Sequence, residues 1–122
     1  MPVILIVEDN DKNMKLFRDV LEFAGYTTLE ATTGQQGFDL ALAHRPDLVL
    51  LDIQLPDKDG VAVLRDIRRE SGTAMHVLAV SASVMPDDQQ RILASGFDGF
   101  ITKPINVRGF LAAVKEATKG CA

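Results

Sequence analysis

The chain has 122 residues, 47% of them apolar and 25% charged, enough for one compact domain with a buried core and unlike a disordered segment. Thirteen basic against seventeen acidic residues give a net charge of −4, which argues against a nucleic-acid binder, because that needs a basic face to meet phosphate. The single cysteine, Cys121, excludes an internal disulfide, a thiolate zinc cage and a cysteine-pair redox centre.

The first apolar run, VILIV at 3–7, is far shorter than the roughly 20 residues a membrane span takes. It has neither the basic flank nor the small-residue cleavage pattern of a secretory signal. With a lone thiol and no targeting segment, the expected location is the cytoplasm. The run reads as a strand covered on both faces. Met14, Phe17, Leu21 and Ala24 then mark one face of a helix, with Asp11 expected as its N-cap and Gly25 as its stop. TTLEA at 27–31 is a more polar strand, suited to a sheet edge. Phe38, Ala41 and Leu42 mark a second helix that ends before Pro46. DLVLLD at 47–52 is the next strand, followed by a helix carrying Gly60, Val63, Leu64 and Ile67 and stopping near Gly72.

HVLAVSA at 76–82 is the fourth strand. A helix over about 86–95 begins with Pro86, Asp87 and Asp88, which suit a positive helix N-terminus, and only Ile92 and Leu93 are large apolar residues in it. GFITK at 99–103 and a helix marked by Val107, Phe110, Leu111 and Val114 complete five strand–helix repeats. Such alternation predicts an α/β fold, a doubly wound parallel sheet with helices on both faces. Ligands of such sheets lie at the C-terminal strand ends, near the point where strand order reverses.

The strand ends carry Glu8 and Asp9, Asp52, Ser81 and Lys103. Taken singly, each has an ordinary explanation: a carboxylate after a strand often caps the next helix, a serine satisfies a neighbour, a lysine is solvated. Taken together, three carboxylates on one sheet edge repel, by about 4 kcal/mol per pair at 4 Å and an effective dielectric near 20. One ammonium leaves two negative charges, which a divalent cation would offset. All-oxygen donors point to Mg²⁺, with Mn²⁺ as a substitute, rather than Zn²⁺. Asp52, after a run of Leu and Val, is the candidate nucleophile, since aspartate can form an acyl phosphate.

The motifs VILIVEDN at 3–10, DLVLLDIQLPDKDG at 47–60, VSA at 80–82 and ITKP at 101–104 resemble the receiver domain of two-component response regulators, over essentially the whole length from 1 to 122. The EDN opening, NMKLF at 13–17 and DIQLP at 52–56 are most like single-domain regulators of the DivK type, which act in the cell cycle. The resemblance implies a (βα)5, flavodoxin-like receiver fold with strand order 2-1-3-4-5 and no effector domain. It implies Asp52 as phosphoacceptor, Glu8, Asp9 and Asp52 with the Gln54 backbone carbonyl as the Mg²⁺ set, and Ser81 and Lys103 on the phosphoryl oxygens. Ser81 and Phe100 would form the switch pair, Phe100 standing where many relatives have tyrosine. Pro104 would follow a cis peptide, and Gln54 and Ser83 would influence water access. Expected partners are a histidine kinase or histidine phosphotransfer protein, and a downstream protein bound on the face made by the fourth helix, fifth strand and fifth helix, with neither nucleic acid nor membrane insertion.

Two other functions compete. A phosphatase or phosphotransferase working through an aspartyl phosphate would want a second aspartate two residues after the nucleophile, where Gln54 stands. A flavin carrier would want a Ser/Thr- and Gly-rich loop after the first strand, where EDNDKN stands. The signalling reading, a phosphoacceptor rather than an enzyme, meets neither objection.

Overall fold

The computed structural model describes residues 2–71, 75–82, 85–103 and 105–119. Gly72, Ser83, Pro104 and Cys121 lie outside them, and with them the expected helix stop, the water-access role of Ser83 and the cis peptide. The elements are β1 (Val3–Val7), α1 (Asp11–Phe23), β2 (Thr27–Ala31), α2 (Gly34–His44), β3 (Leu48–Asp52), α3 (Gly60–Ser71), β4 (His76–Ser81), α4 (Pro86–Ala94), β5 (Gly99–Thr102) and α5 (Val107–Ala117). All five strands pair in parallel in the order β2-β1-β3-β4-β5, as the family resemblance implied. TTLEA is an edge strand, with Thr27 and Glu30 exposed.

The strand pattern sorts the core into two layers. Ile4, Ile6, Leu48 and Leu50 point to the face covered by α1 and α5, where they meet Met14, Phe17, Leu21, Phe110 and Val114. Leu5, Val7, Val49 and Leu51 point to the other face, against Ala41 of α2, Val63, Leu64 and Ile67 of α3, and Ile92 of α4. This period-two alternation across near-continuous Val, Leu and Ile is what a sheet covered on both sides requires. Phe17 and Phe110 stack with ring centroids 5.4 Å apart, tying α1 to α5.

The helix boundaries follow local chemistry. The Asn10 side chain accepts from the Asn13 N–H at 3.0 Å, so the N-cap of α1 is Asn10, and Asp11, expected in that role, is instead the first helical residue. Gly25 takes φ 96°, a left-handed conformation at the helix end in which a side chain would be strained. Thr33 caps α2 and Asn106 caps α5, each accepting from the N–H three residues on. The least anchored helix is α4, where Ile92 alone is buried.

Candidate functional site

The strand order reverses between β1 and β3: the chain goes outward from β1 to β2 and returns to the other side for β3. Val7 pairs with Leu51 at that seam, so the residues that follow, Glu8 and Asp52, emerge side by side at the carboxyl ends of two adjacent strands. Ser81 ends β4, and Lys103 follows β5 with its N–H on the Ser81 carbonyl at 2.8 Å. Glu8, Asp9, Gln54, Asp52, Ser81 and Lys103 all line one cavity of about 870 Å³. Every strand-end residue singled out from the sequence is thus brought to one place.

Carboxylate oxygens of Glu8, Asp9 and Asp52 lie within 4.8 Å of one another. Asp9 is exposed, whereas Glu8 and Asp52 are buried. The Lys103 ammonium stands 2.9 Å from Asp52 Oδ2 and 2.8 Å from Glu8 Oε1. The Gln54 N–H donates to Asp52 Oδ1 at 3.0 Å, and the Asn10 N–H donates to Glu8 Oε2 at 3.2 Å. Glu8 Oε1 accepts no well-aligned hydrogen bond among the described residues, so its contact with Lys103 is an ion contact by distance alone. Phe100 is half-buried on β5 and packs against the core layer beneath α3 and α4.

The electrostatics reflect an excess of acid. Burial, reinforced by the neighbouring Asp52, pushes the Glu8 carboxyl up to about 7, and Lys103 only partly counters this. Burial works against the charge of Lys103, but its contacts with Glu8 and Asp52 outweigh that and hold its ammonium above the ordinary lysine value. A buried carboxyl raised by desolvation, beside a second carboxylate and in a cleft, marks a candidate functional site. Its donor set is oxygen throughout, so it fits a hard divalent cation.

The loop after β3 is shaped by short-range bonds. The Gly60 N–H donates to the Ile53 carbonyl at 2.8 Å, and Gln54 bridges to Asp59. A Cβ on Gly60 would sit 2.6 Å from the Asp52 carbonyl oxygen, so only glycine lets α3 begin this close to the end of β3. Asn10, Arg65 and Arg91 line the site or its rim without having been singled out from the sequence. Their signal is spatial: Arg65 and Arg91 extend the cavity between α3 and α4, which no spacing along the chain announces.

Residues 4–115 match the response regulator receiver domain family. The chain is 43% identical over 114 residues, 93% of either chain, to the polar-differentiation response regulator DivK of Brucella anthropi. Among solved structures it resembles a CheY-like receiver domain protein of Methanospirillum hungatei at 30% identity, covering 95% of this chain and 92% of that one with a TM-score of 0.86. It also resembles the receiver domain of a sensor histidine kinase from Pseudomonas aeruginosa, a structure with a magnesium ion in its active site cleft, at 28% identity over 94% and 95% of the chains and a TM-score of 0.86. Extended sequence identity and a shared architecture show together that this chain belongs to the response regulator receiver domain family.

Proposed function

We propose that this protein is a single-domain response regulator in which Asp52 accepts a phosphoryl group from a phosphohistidine of a kinase or phosphotransfer protein, and that the phosphorylated chain signals by binding another protein. The observation that carries this reading is the meeting of three carboxylates within 4.8 Å of one another, with the Lys103 ammonium within 3 Å of two of them. Glu8, Asp9, Asp52 and the Gln54 backbone carbonyl would hold Mg²⁺, with Mn²⁺ as a substitute. Bound there, the cation offsets the acidic excess and draws charge from the phosphoryl oxygens.

The chain's own groups supply the rest. Both Asp52 oxygens are oriented, Oδ1 by the Gln54 N–H and Oδ2 by the Lys103 ammonium, and Oδ2, beside the cation that meets the incoming phosphoryl group, is taken as the attacking oxygen. A bond forms from Oδ2 to phosphorus as the phosphorus–nitrogen bond of the donor breaks, and its electron pair returns to the imidazole. Lys103 is already at Oδ2, and it and Ser81 take the phosphoryl oxygens as charge builds there. No proton has to be removed from Asp52, because the carboxylate is the nucleophile. The product acyl phosphate is the signal; in its slow hydrolysis water attacks phosphorus, the Asp52 carboxylate leaves and inorganic phosphate is released, so the protein is a phosphoacceptor rather than an enzyme with a turnover substrate.

The output surface is the face made by α4, β5 and α5. Met85, Leu93 and Val107 expose apolar side chains there, and α4 buries a single residue. Drawing Ser81 toward the phosphoryl group would free Phe100 to turn inward and shift that face. The relative named for polar differentiation suggests a cell-cycle or developmental pathway. We place this receiver domain in the cytoplasm, with the phosphodonor proteins that its family implies. No helix among the described residues is long and apolar enough to cross a membrane.

Incubation with acetyl phosphate and Mg²⁺ tests the chemistry. The wild type takes up label, Asp52→Asn takes none, and a chelator abolishes uptake. Label retained in Asp52→Asn, or uptake indifferent to chelator, contradicts the reading.

A further inference from the structure

We propose that Asp57, outside the reacting cluster, is a positioning residue that fixes the loop carrying Gln54 by clamping it to the start of α2. Its role in metal binding rests on the reading of the site given above. The loop, residues 53–59, leaves β3 at Asp52 and enters α3 at Gly60. Both ends are tied: the Ile53 N–H donates to the Val80 carbonyl at 3.1 Å, and the Gly60 N–H to the Ile53 carbonyl. Between them Leu55 packs on the core, Gln54 bridges to Asp59, and Pro56 and Asp57 are exposed. Asp57 Oδ1 accepts from the Gly34 N–H at 2.7 Å, and Oδ2 from the Gln35 N–H at 3.0 Å.

Those two donors are the first N–H groups of α2, which lack partners within their own helix. Thr33 already satisfies the N–H of Gln36. Local and distant side chains therefore divide the helix end between them, and the distant one lies 22 to 23 residues along the chain. A carboxylate on two aligned N–H groups at a helix N-terminus is a charge-assisted, two-point contact, which fixes direction as well as distance. Gly34 makes room for it: a Cβ there would stand 2.8 Å from Val63 Cγ2 and 3.3 Å from Asp57 Oδ1. Lys58 adds a second tie, its ammonium 3.0 Å from Gln35 Oε1.

Gln54 needs such a fixed loop because it acts through its backbone. Its N–H orients Asp52 Oδ1, and the carbonyl assigned to the metal belongs to the same residue. A side chain can adjust by rotating, but a backbone carbonyl can be aimed only by holding the loop. Removing the clamp leaves the tip on the weaker contacts of Lys58 with Gln35 and Asp66 and costs the site its aim without touching any group in it. Groups of this kind one step behind the ligands typically change metal affinity by roughly ten- to a hundredfold.

Three variants separate aiming from stability. Asp57→Ala removes the clamp, Asp57→Asn keeps a single carbonyl acceptor, and Thr33→Ala weakens the same helix end without touching the loop. In protein without added metal, amide exchange at Gln54 and Gly60 should accelerate several-fold in Asp57→Ala, less in Asp57→Asn, and stay at the wild-type rate in Thr33→Ala. Calorimetric titration with Mg²⁺ alone should give roughly tenfold weaker binding in Asp57→Ala and unchanged binding in Thr33→Ala. Equal exchange in wild type and Asp57→Ala overturns the clamp, and so does an equal loss of Mg²⁺ affinity in Asp57→Ala and Thr33→Ala. Absence of Mg²⁺ binding in the wild type overturns the reading of the site itself, and the exchange data then decide separately whether the clamp exists.

Discussion

At the scale of single residues, the site works by placing backbone and side chain where neither has freedom to move. Gly60 is the sharpest case. A methyl group there meets the backbone of Asp52 and Ile53 at 2.6 and 2.8 Å, and neither atom is the far end of a flexible side chain. Gly60→Ala should therefore cost about 1–3 kcal/mol, the range for overpacking a tight site, and weaken Mg²⁺ binding at the same time. Urea unfolding checks the first and calorimetry the second. The Asp57 carboxyl makes a pH prediction. The N–H groups of Gly34 and Gln35 hold it below the ordinary carboxylate range. A depressed carboxyl stabilises the fold above its unfolded value, about 3.9, and that contribution disappears as pH falls through the folded value. Asp57→Asn should thus lower Tm at pH 5–7, with the gap to wild type closing below about pH 4. Because Asp57 is exposed, the gap should also narrow in high salt.

At the scale of elements, apolar content predicts which parts move. Val63, Leu64 and Ile67 anchor α3, and Met14, Phe17 and Leu21 anchor α1, whereas α4 has only Ile92. Its far end is held by loop contacts instead: Arg68 of α3 bonds the Gly96 carbonyl and the Asp98 carboxylate, and Phe97 is buried. Hydrogen exchange should find α4 opening at lower free energy than α1 or α3, with the slowest amides of α4 near Ile92. Exchange as slow in α4 as in α3 would remove the physical basis for a movable output face. The strands and helices were legible in the sequence because their cause is periodic: continuous Val, Leu and Ile for two-sided strands, and spacings of three and four for helices. The N-cap of α1 was misplaced by one residue, since Asn10 and Asp11 are both good caps and only the 3.0 Å bond to the Asn13 N–H decides between them. The acidic cluster was legible because each member ends a strand, and parallel strands finish on one edge. The Asp57 clamp was not, because it joins loop and helix across 22 residues and depends on Gly34 leaving room.

At the scale of the whole molecule, the sheet brings together charges that the chain cannot balance alone. Two apolar layers hold the strand ends in register, and the seam between β1 and β3 sets Glu8 beside Asp52. A ligand that binds only the folded protein stabilises it by mass action, about 2.7 kcal/mol at a hundredfold excess over Kd. Mg²⁺ should accordingly raise Tm in the wild type and do so much less in Asp9→Ala, which removes an exposed member of the cluster and leaves the core untouched. An equal rise in both would show that the ion binds elsewhere. The most direct measurement asks where the phosphoryl group goes. The protein is phosphorylated with acetyl phosphate and Mg²⁺, and the acyl phosphate is then reduced with borohydride, which converts that carboxyl carbon to an alcohol that tandem mass spectrometry can locate. The alcohol is expected at position 52 and nowhere else; finding it at Glu8 or Asp9, or finding no reduced residue in phosphorylated protein, would overturn Asp52 as the phosphoacceptor.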